Sequence, residues 1–343
     1  MILAVGLFAL GLVLLALGGD SIVKGASGLS RKLGLSPFTT GLVLVAFATS
    51  LPELAVNLTA ALHGQGELAL GNAVGSNTAN VGLTLGAAAL AAPLVMRWQT
   101  LNRLLWILVL GTVAVLVLGA DGRLSQVEGL AMLLAFVGVF FYALMRSRGE
   151  SRELREDIAR FAETSTLPMQ NVIRFVLGAL LLWIGSLLIV GGPGVHLFGL
   201  DLSDVGASHI GQGMGLSPVL TGLIPVAIGT ALPEVAAAIA AARRGQGDMV
   251  MGHVLGASVF NILVVIGGMA AFGSIDLPMT QMSLKPLVSS FSLPLGYELL
   301  AALAFALMLY PVLRGDMRVN RTEGGLLLLA YALYVAVELF ASR

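Results

Sequence analysis

The chain has 343 residues, of which 57% are hydrophobic and only 11% charged, and its formal net charge is zero. An ordinary soluble domain carries about a quarter charged residues. The composition therefore excludes a soluble globular fold, and the charge balance argues against a nucleic-acid partner. Cysteine is absent, which rules out a disulfide framework, thiolate catalysis and a Cys-based metal centre.

A helix that crosses a bilayer needs about 20 apolar residues. On that ruler the chain predicts ten spans, at 2–19, 36–62, 67–92, 103–119, 125–145, 172–192, 215–242, 247–272, 294–312 and 323–340. Apolar runs of this length without strand-like alternation read as helices rather than barrel strands. The first lacks a basic start and a small-residue cleavage site, so it is expected to stay as a span and not to be removed as a signal peptide.

Five spans in each half give the second half the opposite orientation to the first. With both termini outside, the inner segments hold all the basic residues except Arg123, Lys285 and Arg343. That is a strong positive-inside bias. The expected fold is therefore all-α and integral to the membrane, with ten transmembrane helices as two inverted five-helix repeats, 1–146 and 171–343. Residues 147–170 mix charges of both signs at helical spacing and read as a solvated cytoplasmic linker.

The strongest internal signal is a duplication. Thirteen of the twenty residues from Gly34 to Glu53 recur at Gly215 to Glu234, an offset of 181. Each copy ends Leu-Pro-Glu. A carboxylate in hydrocarbon costs several kcal/mol, so two at equivalent points of two repeats read as halves of one cation site. Pro52 and Pro233 cannot donate a backbone hydrogen bond and are expected to free carbonyls around Ala46 and Thr49, and around Ala227, Gly229 and Thr230. With the hydroxyls of Thr49, Ser50 and Thr230 and the carboxylates of Glu53 and Glu234, the donors are all oxygen. Hard cations such as Na⁺ and Ca²⁺ select that set.

The next span of each half adds to it. In GNAVGSNTANVG, Asn72, Ser76 and Asn80 share a helical face, and in GHVLGASVFNIL the matching face carries His253, Ala257 and Asn261. Gly71, Gly75, Gly252 and Gly256 read as packing residues. Asn80 and Asn261 place amide oxygens at equivalent depths. His253 lies about 12 Å inward of Asn261; it could gate inner access, but the plainer reading is a polar residue at a helix end. Asp20 and Asp201 read as structural, and Glu298 and Glu338 as interfacial.

The paired ATSLPE/GTALPE and GSNTAN/GASVFN segments resemble the two α-repeats of the cation/Ca²⁺ antiporter superfamily. The similarity is greatest to the bacterial inner-membrane branch of the sodium/calcium exchangers, and it covers the whole chain. The resemblance implies exchange of Ca²⁺ for Na⁺ by alternating access in the plasma (inner) membrane, by a monomer with no cofactor. It puts the cation ligands at Ala46, Thr49, Ser50, Glu53, Ser76 and Asn80, and at Ala227, Thr230, Glu234 and Asn261.

Three positions depart from the fullest form of that cage. Ala231 stands where the first repeat has Ser50, Ala257 where it has Ser76, and Asn261 where some exchangers carry aspartate. A cage charge of −2 matches one Ca²⁺ or two Na⁺. The missing hydroxyls make H⁺ the natural alternative coupling ion, since a carboxyl buried in lipid can carry a proton. A Na⁺-coupled organic-solute transporter would need a larger polar cavity, usually with an aromatic or basic group for the solute, and no Arg, Lys or Trp stands mid-span near the motifs. An enzyme would need a metal-binding His/Glu motif or an activated serine, and a channel a ring of subunits.

Overall fold

The computed structural model describes residues 2–32, 50–97, 100–147, 168–284 and 288–341. The second expected span before Ser50, most of the 147–170 linker, Lys285 and Arg343 lie outside the described residues.

The first helix, α1 (Ile2–Lys32), runs well past the expected end at residue 19. Gly18 and Gly19 do not end it, because Gly18 is needed for packing. The partner of α1 is α7 (Pro168–Val190), the first helix of the second half. A Cβ at Gly11 would lie 2.9 Å from the Gly185 carbonyl oxygen, and one at Gly18 2.9 Å from that of Gly178. The two helices therefore meet backbone to backbone along a seam of small residues. In lipid, where burial of apolar surface gives no drive, such close approach is what holds helices together.

Next come α2 (Leu51–Leu62) and a helix without a break: α3 (Gly66–Ala79), a π-helical stretch π1 (Asn80–Leu85) and α4 (Gly86–Ala91). Strand β1 (Leu94–Val95), α5 (Thr100–Leu118), β2 (Arg123–Leu124) and α6 (Gln126–Ser147) complete the first half. After α7, a hairpin of β3 (His196–Leu197) and β4 (Leu200–Asp201) leads to α8 (Gly206–Met214). A second unbroken helix joins α9 (Pro218–Thr221), π2 (Gly222–Val226) and α10 (Ala227–Arg243). A third joins α11 (Gly247–Phe260), π3 (Asn261–Ile266) and α12 (Gly267–Phe272). The chain ends through β5 (Ile275–Asp276), the hairpin β6 (Met279–Leu284) and β7 (Val288–Pro294), α13 (Gly296–Met308), α14 (Tyr310–Arg314), β8 (Arg318–Val319) and α15 (Arg321–Ala341).

Among the described residues, seven helices are long and apolar enough to cross a membrane: Ile2–Ala26, Leu101–Asp121, Met169–Val190, Pro218–Arg243, Gly247–Phe272, Gly296–Arg314 and Arg321–Phe340. The expected span at 67–92 is helical throughout but too polar to join them. Asn72, Ser76, Asn77, Thr78 and Asn80 are all buried in it, so it faces other helices and not lipid. A helix buried all round is a core helix, and α11 is buried all round in the same way.

The fold is all-helical as expected, and between two of the helices stands a hairpin of β6 and β7, which pair antiparallel with a bulge between Met282 and Leu284. Alternation of apolar and polar residues at Met282-Ser283-Leu284 and at Phe291-Ser292-Leu293 is the period-two signal that length counting passes over. The expected span at 294–312 is also interrupted, at Leu309, because Pro311 offers no N–H to the preceding turn.

Two short ladders tie the halves together. β1 pairs with β8, and β5 pairs with β2. The strand after the third helix of each half thus binds the strand before the last helix of the other.

The glycine seam makes a test. Gly18→Leu or Gly178→Leu should force α1 from α7 and lower the thermal midpoint of the purified protein by several degrees, whereas Gly6→Leu, with open space around it, should not. Equal midpoints for all three would contradict the seam.

Candidate cation site

Glu53 sits in the first turn of α2, one residue after Pro52, and Ser50 is the residue that opens that helix. Glu234 follows Pro233, but here the structure differs from the expected break. Pro233 lies inside an unbroken α10, and the irregular backbone of this helix is π2, around Pro225. The Thr230 hydroxyl donates to the carbonyls of Val226 at 3.1 Å and Ala227 at 3.3 Å. It thereby fastens the turn before the proline, and its lone pairs stay available.

Glu53 is 3% exposed and Glu234 8%, and the two carboxyl groups lie within direct electrostatic reach of each other. Oxygens on these helices and on the two core helices are buried without a hydrogen-bond partner: Ser50 Oγ, Glu53 Oε2, Asn80 Oδ1, Glu234 Oε1 and Asn261 Oδ1. Each unsatisfied buried group costs about 1–3 kcal/mol. Buried lone pairs that lack a donor are complementary to a cation. The donors are hard, they come from both halves, and two of them are carboxyl groups. Ala227 is fully buried, while Ala46 and Thr49 lie outside the described residues.

Both asparagines open a π-helical stretch, π1 at Asn80 and π3 at Asn261. A π-turn widens the helix and shifts its carbonyls out of register, and such bulges gather at functional sites. Asn261 also donates from Nδ2 to Asn77 Oδ1 at 3.2 Å, joining the two core helices.

Ser76, 3% exposed, donates to Asn72 Oδ1 at 3.4 Å, and Asn72 donates to Asn57 Oδ1 at 2.9 Å. Asn57 is one turn beyond Glu53, so the i+4 spacing could have found it. At the matching places the second half has His253 for Asn72 and Ala238 for Asn57. Without an amide opposite it, the imidazole reaches the carboxylate instead: Nε2 lies 3.3 Å from Glu234 Oε2. His253 is 9% exposed, so its reading as a plain polar residue at a helix end is corrected.

A cavity of about 330 Å³ runs from exposed Asp20 past Ala241 to Pro52, Thr230, Glu234 and His253. A second, of about 490 Å³, lies toward the other end of the α9–α10 helix, lined by Gln65, Leu68, Gln212, Thr221 and Asp276. Neither glutamate lines it. Between it and the site, α3 touches α9 and π2 through their backbones: a Cβ at Gly71 would lie 2.0 Å from the Val219 oxygen, and one at Gly222 2.0 Å from that of Leu68.

Comparison with known proteins matches residues 3–145 and 170–340 to the family described as sodium/calcium exchanger protein. The inner membrane protein YrbG of Escherichia coli is 35% identical over 78% of this chain and 79% of its own length. The sodium/calcium exchanger MaX1 of Methanosarcina acetivorans is 31% identical over 96% of each. A solved structure of the sodium-calcium exchanger NCX_Mj, soaked with Na⁺ and Sr²⁺, is 27% identical, covers 98% of both chains and superposes with a TM-score of 0.61.

The amide network is testable by itself. Asn72→Ala would strand Asn57 Oδ1 and the Ser76 hydroxyl, and should cost about 1–3 kcal/mol, read as a lower thermal midpoint. An unchanged midpoint would contradict the network.

Proposed function

Because the chain belongs to the sodium/calcium exchanger family, a family of multi-pass membrane exchangers, we propose that it moves Ca²⁺ against Na⁺ by alternating access at the site between Glu53 and Glu234. The observation that carries this reading is the pair of buried carboxyl groups at equivalent positions of the two halves. Ca²⁺ replaces its water with oxygens and needs about two negative charges for balance. Two Na⁺ match the same charge, so the ions exclude each other by electrostatics as well as by volume. Exclusion is what makes exchange obligatory, since the site leaves one side only with a cation to cancel its charge.

Ten spans in two inverted halves suit this reading. The offset of 181 residues carries α3, π1 and α4 onto α11, π3 and α12. The crossed pairing of β1 with β8 and of β5 with β2 demands that each pair share a side of the membrane, and ten alternating crossings satisfy both. The charge pattern then puts both termini outside and the 330 Å³ cavity on the cytoplasmic side. The Gly71–Val219 and Gly222–Leu68 contacts close the outer approach, and their separation would open it.

The ligands proposed are the carboxylates of Glu53 and Glu234, the hydroxyls of Thr49, Ser50, Ser76 and Thr230, the amide oxygens of Asn80 and Asn261, and the backbone carbonyls of Ala46 and Ala227. Ala231 and Ala257 withhold two hydroxyls from the second half. That asymmetry favours a second reading, in which H⁺ takes the place of some of the Na⁺.

Two measurements separate these. In proteoliposomes, Glu53→Gln and Glu234→Gln should each abolish ⁴⁵Ca²⁺ uptake driven by an outward Na⁺ gradient, while the protein still folds. Wild-type flux in either would end the proposal, and flux driven by a pH gradient alone would select H⁺. Protons also compete for the oxygens that Ca²⁺ needs, so apparent Ca²⁺ affinity should fall as pH drops between about 8.5 and 5.5. A flat affinity would mean that no proton leaves the site when Ca²⁺ enters, and would remove the case for H⁺.

A further inference from the structure

The two halves differ in the chemistry of one donor. In the first half Asn72 gives its amide to Asn57, and every candidate ligand there offers oxygen. In the second, His253 of α11 stands in place of Asn72, and its Nε2 lies 3.3 Å from Oε2 of Glu234 on α10. Glu234 is 8% exposed and His253 9%, and both line the 330 Å³ cavity together with Thr230 and the small Ala238. A buried carboxylate and a buried imidazole thus share one chamber.

Their separation distinguishes two readings of the pair. A charge-assisted hydrogen bond draws its heavy atoms to about 2.7–2.9 Å, and this pair stands wider. Nitrogen and oxygen ligands of a tetrahedral Zn²⁺ lie about 2.0–2.1 Å from the ion, so two of them at the tetrahedral angle stand about 3.3–3.4 Å apart. The observed 3.3 Å matches that bite. Thr230 is one turn before Glu234 on the same face of α10. Its hydroxyl donates to the carbonyls of Val226 and Ala227, which leaves its lone pairs for a third ligand. At about 30 Å³ for each water, the chamber has room to complete a shell of four.

An all-oxygen set selects hard ions, whereas imidazole suits Zn²⁺ and its neighbours among the transition metals. We propose that His253 and Glu234, with Thr230, form a site for a divalent transition metal of the Zn²⁺ class where the cavity meets the cation site. Glu234 belongs to both sites, so a Zn²⁺ held here takes a carboxylate that Ca²⁺ needs, and the two ions compete. The competition rests on the exchange reading above; the metal site rests on the His253–Glu234 geometry alone.

The experiment is calorimetric titration of Zn²⁺ into the purified full chain without a polyhistidine tag. The chain has four histidines and no cysteine, so His63→Gln, His196→Gln and His209→Gln together leave His253 as its one imidazole. That protein should bind Zn²⁺ saturably, and added Ca²⁺ should weaken the binding. Losing a group merely behind a metal ligand costs about 10–100-fold in affinity, so His253→Asn, His253→Gln and Glu234→Gln should each weaken Zn²⁺ binding by about tenfold or more. His253→Asn restores the first half's residue and should lose more Zn²⁺ affinity than Ca²⁺ affinity, a change of preference that a damaged fold does not produce. No saturable Zn²⁺ binding, or a Zn²⁺ affinity that the substitutions at His253 or at Glu234 leave unchanged, would overturn the metal site. Zn²⁺ binding that Ca²⁺ fails to weaken would count against the exchange reading instead.

Discussion

Two carboxylates within reach of each other and almost wholly out of water make the empty site electrostatically unfavourable, and the rest of the molecule is arranged around that fact. A buried anion pair cannot stand alone in a medium of low dielectric. It needs a cation, or a proton, at every moment. The two largely buried helices, α3–π1–α4 and α11–π3–α12, keep lipid away from it. The lipid-facing helices α1 and α7 hold the outside together through glycine contacts that ask nothing of the site. The scaffold can stay fixed while the elements that bear Glu53 and Glu234 respond to their charge balance.

The halves match in backbone and differ in side chains. Both carry a π-turn opening on asparagine, and both carry a glutamate after a proline. The first half carries Ser50 and the Asn57–Asn72–Ser76 chain of amide and hydroxyl groups. The second has Ala231, Ala238 and Ala257 in place of Ser50, Asn57 and Ser76, and His253 against Glu234. A site with unlike halves need not treat its ions alike from the two sides of the membrane, even when the backbone is duplicated.

Much of this was legible in the residues. The 181-residue offset and the Pro-Glu pairs marked the carboxylates, and Asn80 and Asn261 were evident from helical spacing. The rest was hidden for physical reasons. The π-stretches leave no shared composition, since Gly82 in one corresponds to Leu263 in the other. The effect of Pro233 was overestimated because the neighbouring Thr230 hydroxyl ties the turn that the proline loosens. The contact of His253 with Glu234 depends on what is missing at Ala238, which is visible only when the helices are placed side by side. The hairpin of β6 and β7 alternates over only a few residues, too short a pattern to stand out beside the long apolar spans.

The central claim is that one cation sits between Glu53 and Glu234 and cancels their charge. Crystals grown without Na⁺ and soaked with Sr²⁺, a Ca²⁺ surrogate visible by its anomalous scattering, test it directly. The account predicts an anomalous peak bridging the two carboxylates, which fades as Na⁺ is added to the soak. A core that shows no peak between them at saturating Sr²⁺, or a peak that Na⁺ and H⁺ both leave untouched, would contradict it.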